Sequence, residues 1–176
     1  TVSYQETDYV NPREILLLEF ARGCKFKCKF CSFPILGVKG DYSRTAESVY
    51  DEMLRNYDLF GTEHYIVLDE TFNDSSQKIE KFANVIEKLP FTPKMTAYIR
   101  ADLITSKKQD WDNLIKMGIT SHFYGVESMN HESAKSIGKG MDSGRIQEGL
   151  LEVDEYFRKN AGFYKGHISL IAGLPH

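Results

Sequence analysis

The only three cysteines of this 176-residue chain crowd into one short segment, Cys24-Lys-Phe-Lys-Cys28-Lys-Phe-Cys31. An odd, tightly clustered set makes a poor disulfide framework and a good set of metal ligands. Thiolates are soft donors, and three of them this close can grip a soft metal centre from one side. Structural zinc normally closes a tetrahedron with four protein ligands, and ferredoxin clusters take four cysteines. No fourth cysteine exists here, and the nearest later histidine is His64. A cubane cluster held by the triad alone keeps one iron open to a small molecule, which turns an electron carrier into a catalyst. The rival reading is a structural metal-binding or electron-transfer module that borrows a fourth ligand from outside.

The triad must be positioned by the elements around it. Residues 14–20, nearly all apolar, read as a first strand covered on both faces. Residues 45–60 then carry Val49, Met53, Leu54, Tyr57 and Phe60 at helical spacing, with Ser43 or Thr45 as cap and Gly61 as stop. The alternation continues with strands at 64–68, 94–99, 119–126 and 167–172. Between them stand helices at 76–89, 107–117, 130–137 and 143–157. Strands separated by helices imply parallel pairing through right-handed crossovers, hence an α/β class with about five parallel strands. The cysteines follow the first strand, and in parallel α/β folds functional loops gather at the carboxyl ends of the strands.

Composition narrows the possibilities further. With 22 basic and 25 acidic residues the net charge is -3, which exerts no global pull on nucleic acid. No apolar run is long enough for a membrane span, and the opening residues lack the basic flank and apolar stretch of a signal peptide. The expectation is a cytoplasmic, reducing environment. Nothing marks a domain boundary, so residues 1–176 read as a single core domain. The start at Thr1 and the halt after the last strand lead us to expect truncation at both ends. His64, His122, His131, His167 and His176 show no metal-ligand spacing and read as structural or surface residues.

The spacing Cys-x3-Cys-x-Phe-Cys, with Phe30 before the last cysteine, resembles the signature of the radical S-adenosylmethionine (SAM) superfamily. That resemblance implies a partial (β/α) barrel and a [4Fe-4S] cluster on Cys24, Cys28 and Cys31. It further implies that SAM chelates the open iron and is cleaved to methionine and a 5′-deoxyadenosyl radical, which takes hydrogen from an unknown substrate. An electron donor such as a flavodoxin or ferredoxin would supply the electron, and Lys25, Lys27 and Lys29 could greet its acidic surface.

Further motifs resemble the branch that includes tRNA methylthiotransferases, coproporphyrinogen dehydrogenase and cobalamin-dependent members. Leu68-Asp69-Glu70-Thr71-Phe72-Asn73 stands where other members hold the SAM amino group, so Asp69 or Glu70 would accept from the ammonium. Tyr98-Ile99-Arg100-Ala101-Asp102 is similar to the Arg-x-Asp after the third strand. Arg100 would pair with the SAM carboxylate, and Tyr98 would share its face of the strand. Gly125-Val126-Glu127-Ser128, followed by Lys139-Gly140, resembles a Gly-x-Glu-Ser and Lys-Gly pair. Glu127 would contact the SAM amino group or ribose. Ile171-Ala172-Gly173-Leu174-Pro175 is similar to a Gly-Leu-Pro turn near the adenine, with Ile171 packing on the ring and Gly173 admitting close backbone approach.

Overall fold

The computed structural model describes residues 3–11, 14–33, 42–139 and 142–174. In chain order the elements are β1 (Leu16–Leu18), β2 (Ala21–Arg22), β3 (Tyr42–Ser43), α1 (Ala46–Phe60), β4 (His64–Val67), α2 (Ser76–Ile86) and β5 (Lys94–Ile99). They continue with α3 (Ala101–Ser106), α4 (Trp111–Lys116), β6 (Ile119–Glu127), α5 (His131–Ser136), α6 (Ser143–Ala161) and β7 (Lys165–Leu170). Five strands form one sheet in the order β1-β4-β5-β6-β7, and every neighbouring pair is parallel. Spatial order follows chain order without reversal. Each right-handed crossover therefore lays its helix on the same face, which is the winding of a barrel wall and not of a doubly wound sheet.

The helix-covered face holds the core. Leu16, Leu18, Tyr65, Val67, Met95, Ala97, Ile99 and Val126 are buried there with Val49, Met53, Ile79, Phe82, Leu114 and Phe157 of the helices. The other face stays open: Ile15 is 53% exposed, Tyr98 49% and Phe123 39%. This corrects the first strand. Among the described residues it is covered on one face only, since none of their helices packs on the inner side. It is also shorter than residues 14–20, because the Phe20 and Ala21 N–H groups turn away to the Asp69 carboxylate.

Caps fall where local chemistry puts them. Thr45 accepts from the Ser48 N–H at the start of α1, and Gly61 ends that helix in the left-handed region. Ser75, Asn130 and Asp142 cap α2, α5 and α6 in the same way. Asn130, three residues past the end of β6, is therefore the cap before α5. The helix expected over 107–117 is broken: α3 precedes it, Lys107 leaves helical geometry, and a 3-10 turn at Lys108–Asp110 leads into α4. The Trp111 indole N–H donates to the Ile104 carbonyl at 2.8 Å and ties the two pieces together. Among the described residues no helix is long and apolar enough to cross a membrane.

Under α6 lies a buried polar chain. His122 Nε2 meets the Ile119 carbonyl at 3.0 Å, and since a carbonyl only accepts, that nitrogen carries the proton. Nδ1 therefore accepts from the Tyr124 hydroxyl at 2.6 Å, and Tyr124 in turn accepts from Tyr164 at 2.6 Å. Burial pushes the His122 pKa down from 6.5 to about 4. The neutral ring thus contributes stability that is complete above pH 6.5 and is lost as pH falls toward 4. In urea unfolding, the advantage of the native chain over His122→Asn is expected to shrink on acidification, by about 3 kcal/mol across that window.

Candidate functional site

The cysteine segment lies between β2 and β3, which pair antiparallel at Ala21 with Ser43 and Arg22 with Tyr42. Its entry is anchored by Asp69, just past β4. One carboxylate oxygen accepts from the Phe20 N–H at 2.8 Å and the Ala21 N–H at 3.1 Å, and the other lies 3.9 Å from Lys78. Asp69 is buried and does not line the cavity beside the cysteines. The structure does not bring Asp69 into the cavity where the SAM ammonium is expected, and one of its oxygens is committed to the backbone that launches the cysteine loop. Burial raises its pKa from 3.8 to about 6 against the opposing pull of the two N–H groups. Glu70, its neighbour, is exposed and does line the cavity.

Cys24, Cys28 and Cys31 open into one cavity of about 230 Å³ at the carboxyl ends of the strands. Phe26, Phe30, Phe33, Glu70, Thr71, Tyr98, Arg100, Phe123, Glu127 and Lys139 share its wall. The sequence-predicted Phe30, Glu70, Tyr98, Arg100 and Glu127 thus converge with the triad. All three cysteines are free and partly buried. The Cys24 sulfur lies 3.4 Å from the Thr71 hydroxyl, Cys31 accepts from the Phe33 N–H at 3.4 Å, and Cys28 lies 3.5 Å from an Arg100 nitrogen. Among the described residues no three His, Cys, Asp or Glu side chains gather tightly enough to hold one ion. The donor set, three soft thiols on the wall of one cavity, fits a cluster that takes three cysteines and keeps one iron open.

Glu127 terminates β6 with φ +67, a conformation that costs a non-glycine residue on the order of 1 kcal/mol or more. The turn follows a register shift between Gly125 and Glu127 in the pairing with β7. Its carboxylate meets Lys139 Nζ at 3.2 Å, and Lys139 also donates to the Gly125 carbonyl. Both side chains are nearly buried, at 9% and 7% exposure. The turn that carries Lys139 also grips the cysteine loop: the Lys29 N–H donates to the Ile137 carbonyl at 2.9 Å, and Gly138 packs against Cys28.

Lys139, Thr71 and Asn73 were not singled out from sequence as site residues. Lys139 stands in the Lys-Gly motif quoted with Glu127, but its pairing with that carboxylate spans a loop and a helix and depends on the fold. Ile171 and Gly173 do not line this cavity. The Ile171 N–H donates to the Glu127 carbonyl at 2.9 Å, and Gly173 has φ +80, so both sit beside the strand end rather than within the pocket. Gly140, Pro175 and His176 lie outside the described residues.

The family model of the radical SAM superfamily matches residues 18–176. Among solved structures, the cobalamin-dependent S-adenosylmethionine radical enzyme OxsB, with aqua-cobalamin and S-adenosylmethionine bound, is similar with TM-score 0.77 and 23% identity, over 89% of this chain and 24% of that one. The radical S-adenosylmethionine methyltransferase TsrM from Kitasatospora setae, with tryptophan and aza-SAM, gives 0.74 and 17% over 97% of this chain and 32% of that one. Coproporphyrinogen III oxidase (HemN) from Escherichia coli gives 0.66 and 19% over 97% and 39%. The chain therefore spans between a quarter and two-fifths of these structures. At such identities the likeness is one of fold. No curated protein matches. A family match that runs from the end of β1 through the last residue, on a fold shared with these enzymes, shows that the chain belongs to the radical SAM superfamily.

Proposed function

We propose that this chain binds a [4Fe-4S] cluster through Cys24, Cys28 and Cys31 and positions SAM on its open iron. The observation that carries the reading is the convergence of three free thiols with Glu127, Arg100 and Lys139 on one cavity at the strand ends. The solved OxsB and TsrM structures hold SAM and a [4Fe-4S] cluster, respectively. When bound, cluster and SAM supply a one-electron cleavage that yields methionine and a 5′-deoxyadenosyl radical for hydrogen abstraction from a substrate.

The chain's own residues orient and enclose. Glu127 and Glu70 accept from the SAM ammonium, while Arg100 offers guanidinium N–H groups to its carboxylate. Tyr98, stacked on Phe123 at 5.6 Å, and Phe30 form apolar wall that limits water beside the reacting atoms. Ile171 and Gly173 border the site on the β7 side, where the adenine would lie. Lys27 and Lys29 are exposed on the cysteine loop and complement an acidic donor such as a flavodoxin or ferredoxin. The test is anaerobic reconstitution with iron and sulfide, followed by EPR of the reduced protein with and without SAM. A signal that SAM perturbs supports the reading; a SAM-blind cluster, or zinc bound in its place, overturns it in favour of an electron-transfer or structural module.

A methyl group at Gly125 tests the Glu127–Lys139 pair without attacking the fold. A Cβ there would stand 2.6 Å from the Glu127 carboxylate and 3.0 Å from Lys139 Nζ. Both are side-chain ends that can swing aside. Gly125→Ala is therefore expected to change stability by less than about 1 kcal/mol and to weaken SAM binding by about tenfold, a loss of about 1.4 kcal/mol. Equilibrium dialysis against labelled SAM measures the second and thermal unfolding the first.

A further inference from the structure

Arg100 is held from four directions. Its peptide group is clamped by the Asn73 side chain, whose Oδ1 accepts from the Arg100 N–H at 2.8 Å and whose Nδ2 donates to the Arg100 carbonyl at 3.0 Å. Its Nε pairs with the Asp102 carboxylate at 2.8 Å. The guanidinium carbon lies 3.8 Å from the centre of the Phe26 ring, and the side chain is only 10% exposed. With Nε and one guanidinium face occupied, Nη1 stands 3.5 Å from the Cys28 sulfur.

We propose that Arg100 donates an N–H···S hydrogen bond to Cys28 and thereby raises the reduction potential of the cluster bound there. The inference rests on the cluster reading above. Reduction adds an electron to an already anionic cluster and its thiolate ligands, so a fixed cation and a donor on one sulfur stabilise the reduced form more than the oxidised one. Hydrogen bonds to the sulfurs, net charge and burial are the levers that set such potentials.

The three cysteines are not equivalent in this respect. Among the described residues Cys24 meets a neutral hydroxyl and Cys31 a backbone N–H, whereas Cys28 alone meets a full positive charge. Arginine suits the task, since its rigid fork can serve Asp102 and Cys28 together. A lysine would keep the charge and lose the fork. The remaining guanidinium N–H groups stay free for the SAM carboxylate, so the two roles separate once the potential is measured without SAM.

The experiment is an EPR-monitored redox titration with dithionite of the anaerobically reconstituted chain, SAM omitted, in native, Arg100→Gln and Arg100→Lys forms matched for iron and sulfide content. SAM affinity is measured in parallel. Arg100→Gln is expected to titrate at a potential lower by the equivalent of at least a tenfold change in the reduced-to-oxidised ratio, about 59 mV for one electron. Arg100→Lys should shift the same way by less. If Arg100→Gln takes up no iron, the lysine variant decides the matter by that shift. Unchanged potentials with weakened SAM binding would overturn this inference and leave Arg100 a SAM contact only. A native chain that assembles no cluster would instead overturn the cluster reading, and this inference with it.

Discussion

Cys28→Ala is expected to leave reconstituted protein with iron and sulfide near background and no SAM-responsive EPR signal, while far-UV circular dichroism stays native. Cys28 sits in the middle of the triad on a loop, partly buried and outside the helices and strands, so its truncation removes little of the core. Its contribution to folding is small, and its contribution to a three-thiolate site is a third of the ligands. Two thiolates do not hold a cubane in place against chelation and loss. A variant that still assembles a SAM-responsive cluster would remove Cys28 from the ligand set and refute the proposed site.

Gly118→Ala is expected to lower stability by about 3 kcal/mol, read as a shift of the urea midpoint at unchanged slope. Gly118 links α4 to β6 with φ +75, donates to the Ile115 carbonyl at 2.8 Å and accepts from the Met95 N–H at 2.8 Å. A Cβ on it would stand 1.8 Å from the Pro93 carbonyl oxygen. That oxygen belongs to backbone entering β5, where Lys94 is tied to Glu63 at 2.9 Å, so the neighbour has nowhere to move. Gly162, with φ +71 and nothing within 4 Å of an added Cβ, separates the two causes. Gly162→Ala should cost only about 1 kcal/mol, the conformational share alone. Equal losses at both positions would show that the contact with Pro93 contributes nothing.

The local code in this chain was legible wherever neighbours in sequence are also neighbours in space. Thr45 with Gly61 bounds α1, and the apolar residues of α2 recur at helical spacing, because a helix buries one face and its caps satisfy its own free backbone groups. The cysteine spacing likewise supports the proposed soft-metal site without reference to the fold. Alternation along β5, carried one residue past its end, brings Tyr98 and Arg100 to the same cavity. Strand-helix alternation established the parallel α/β class, since a parallel pair cannot be closed by a short turn.

What lay beyond sequence was every choice that depends on a distant partner. Asp69 and Glu70 are adjacent acids, yet one is buried under backbone N–H groups from residues 20 and 21 and the other faces the cavity. Only the packing of the chain after β1 against the end of β4 separates them. Lys139 becomes part of the site because α5 returns its last turn to the cysteine loop and brings Nζ onto Glu127. Arg100 meets Cys28, 72 positions away in sequence, because Asn73 fixes its peptide group while Asp102 and Phe26 hold its Nε and one face of its guanidinium. The sequence by itself determined the element types, the parallel class and the cysteine triad, all carried by short-range periodicity and ligand chemistry. The tertiary structure alone decided which charged side chains line the cavity, because burial and hydrogen-bond partners are properties of the packed sheet ends and of no single segment.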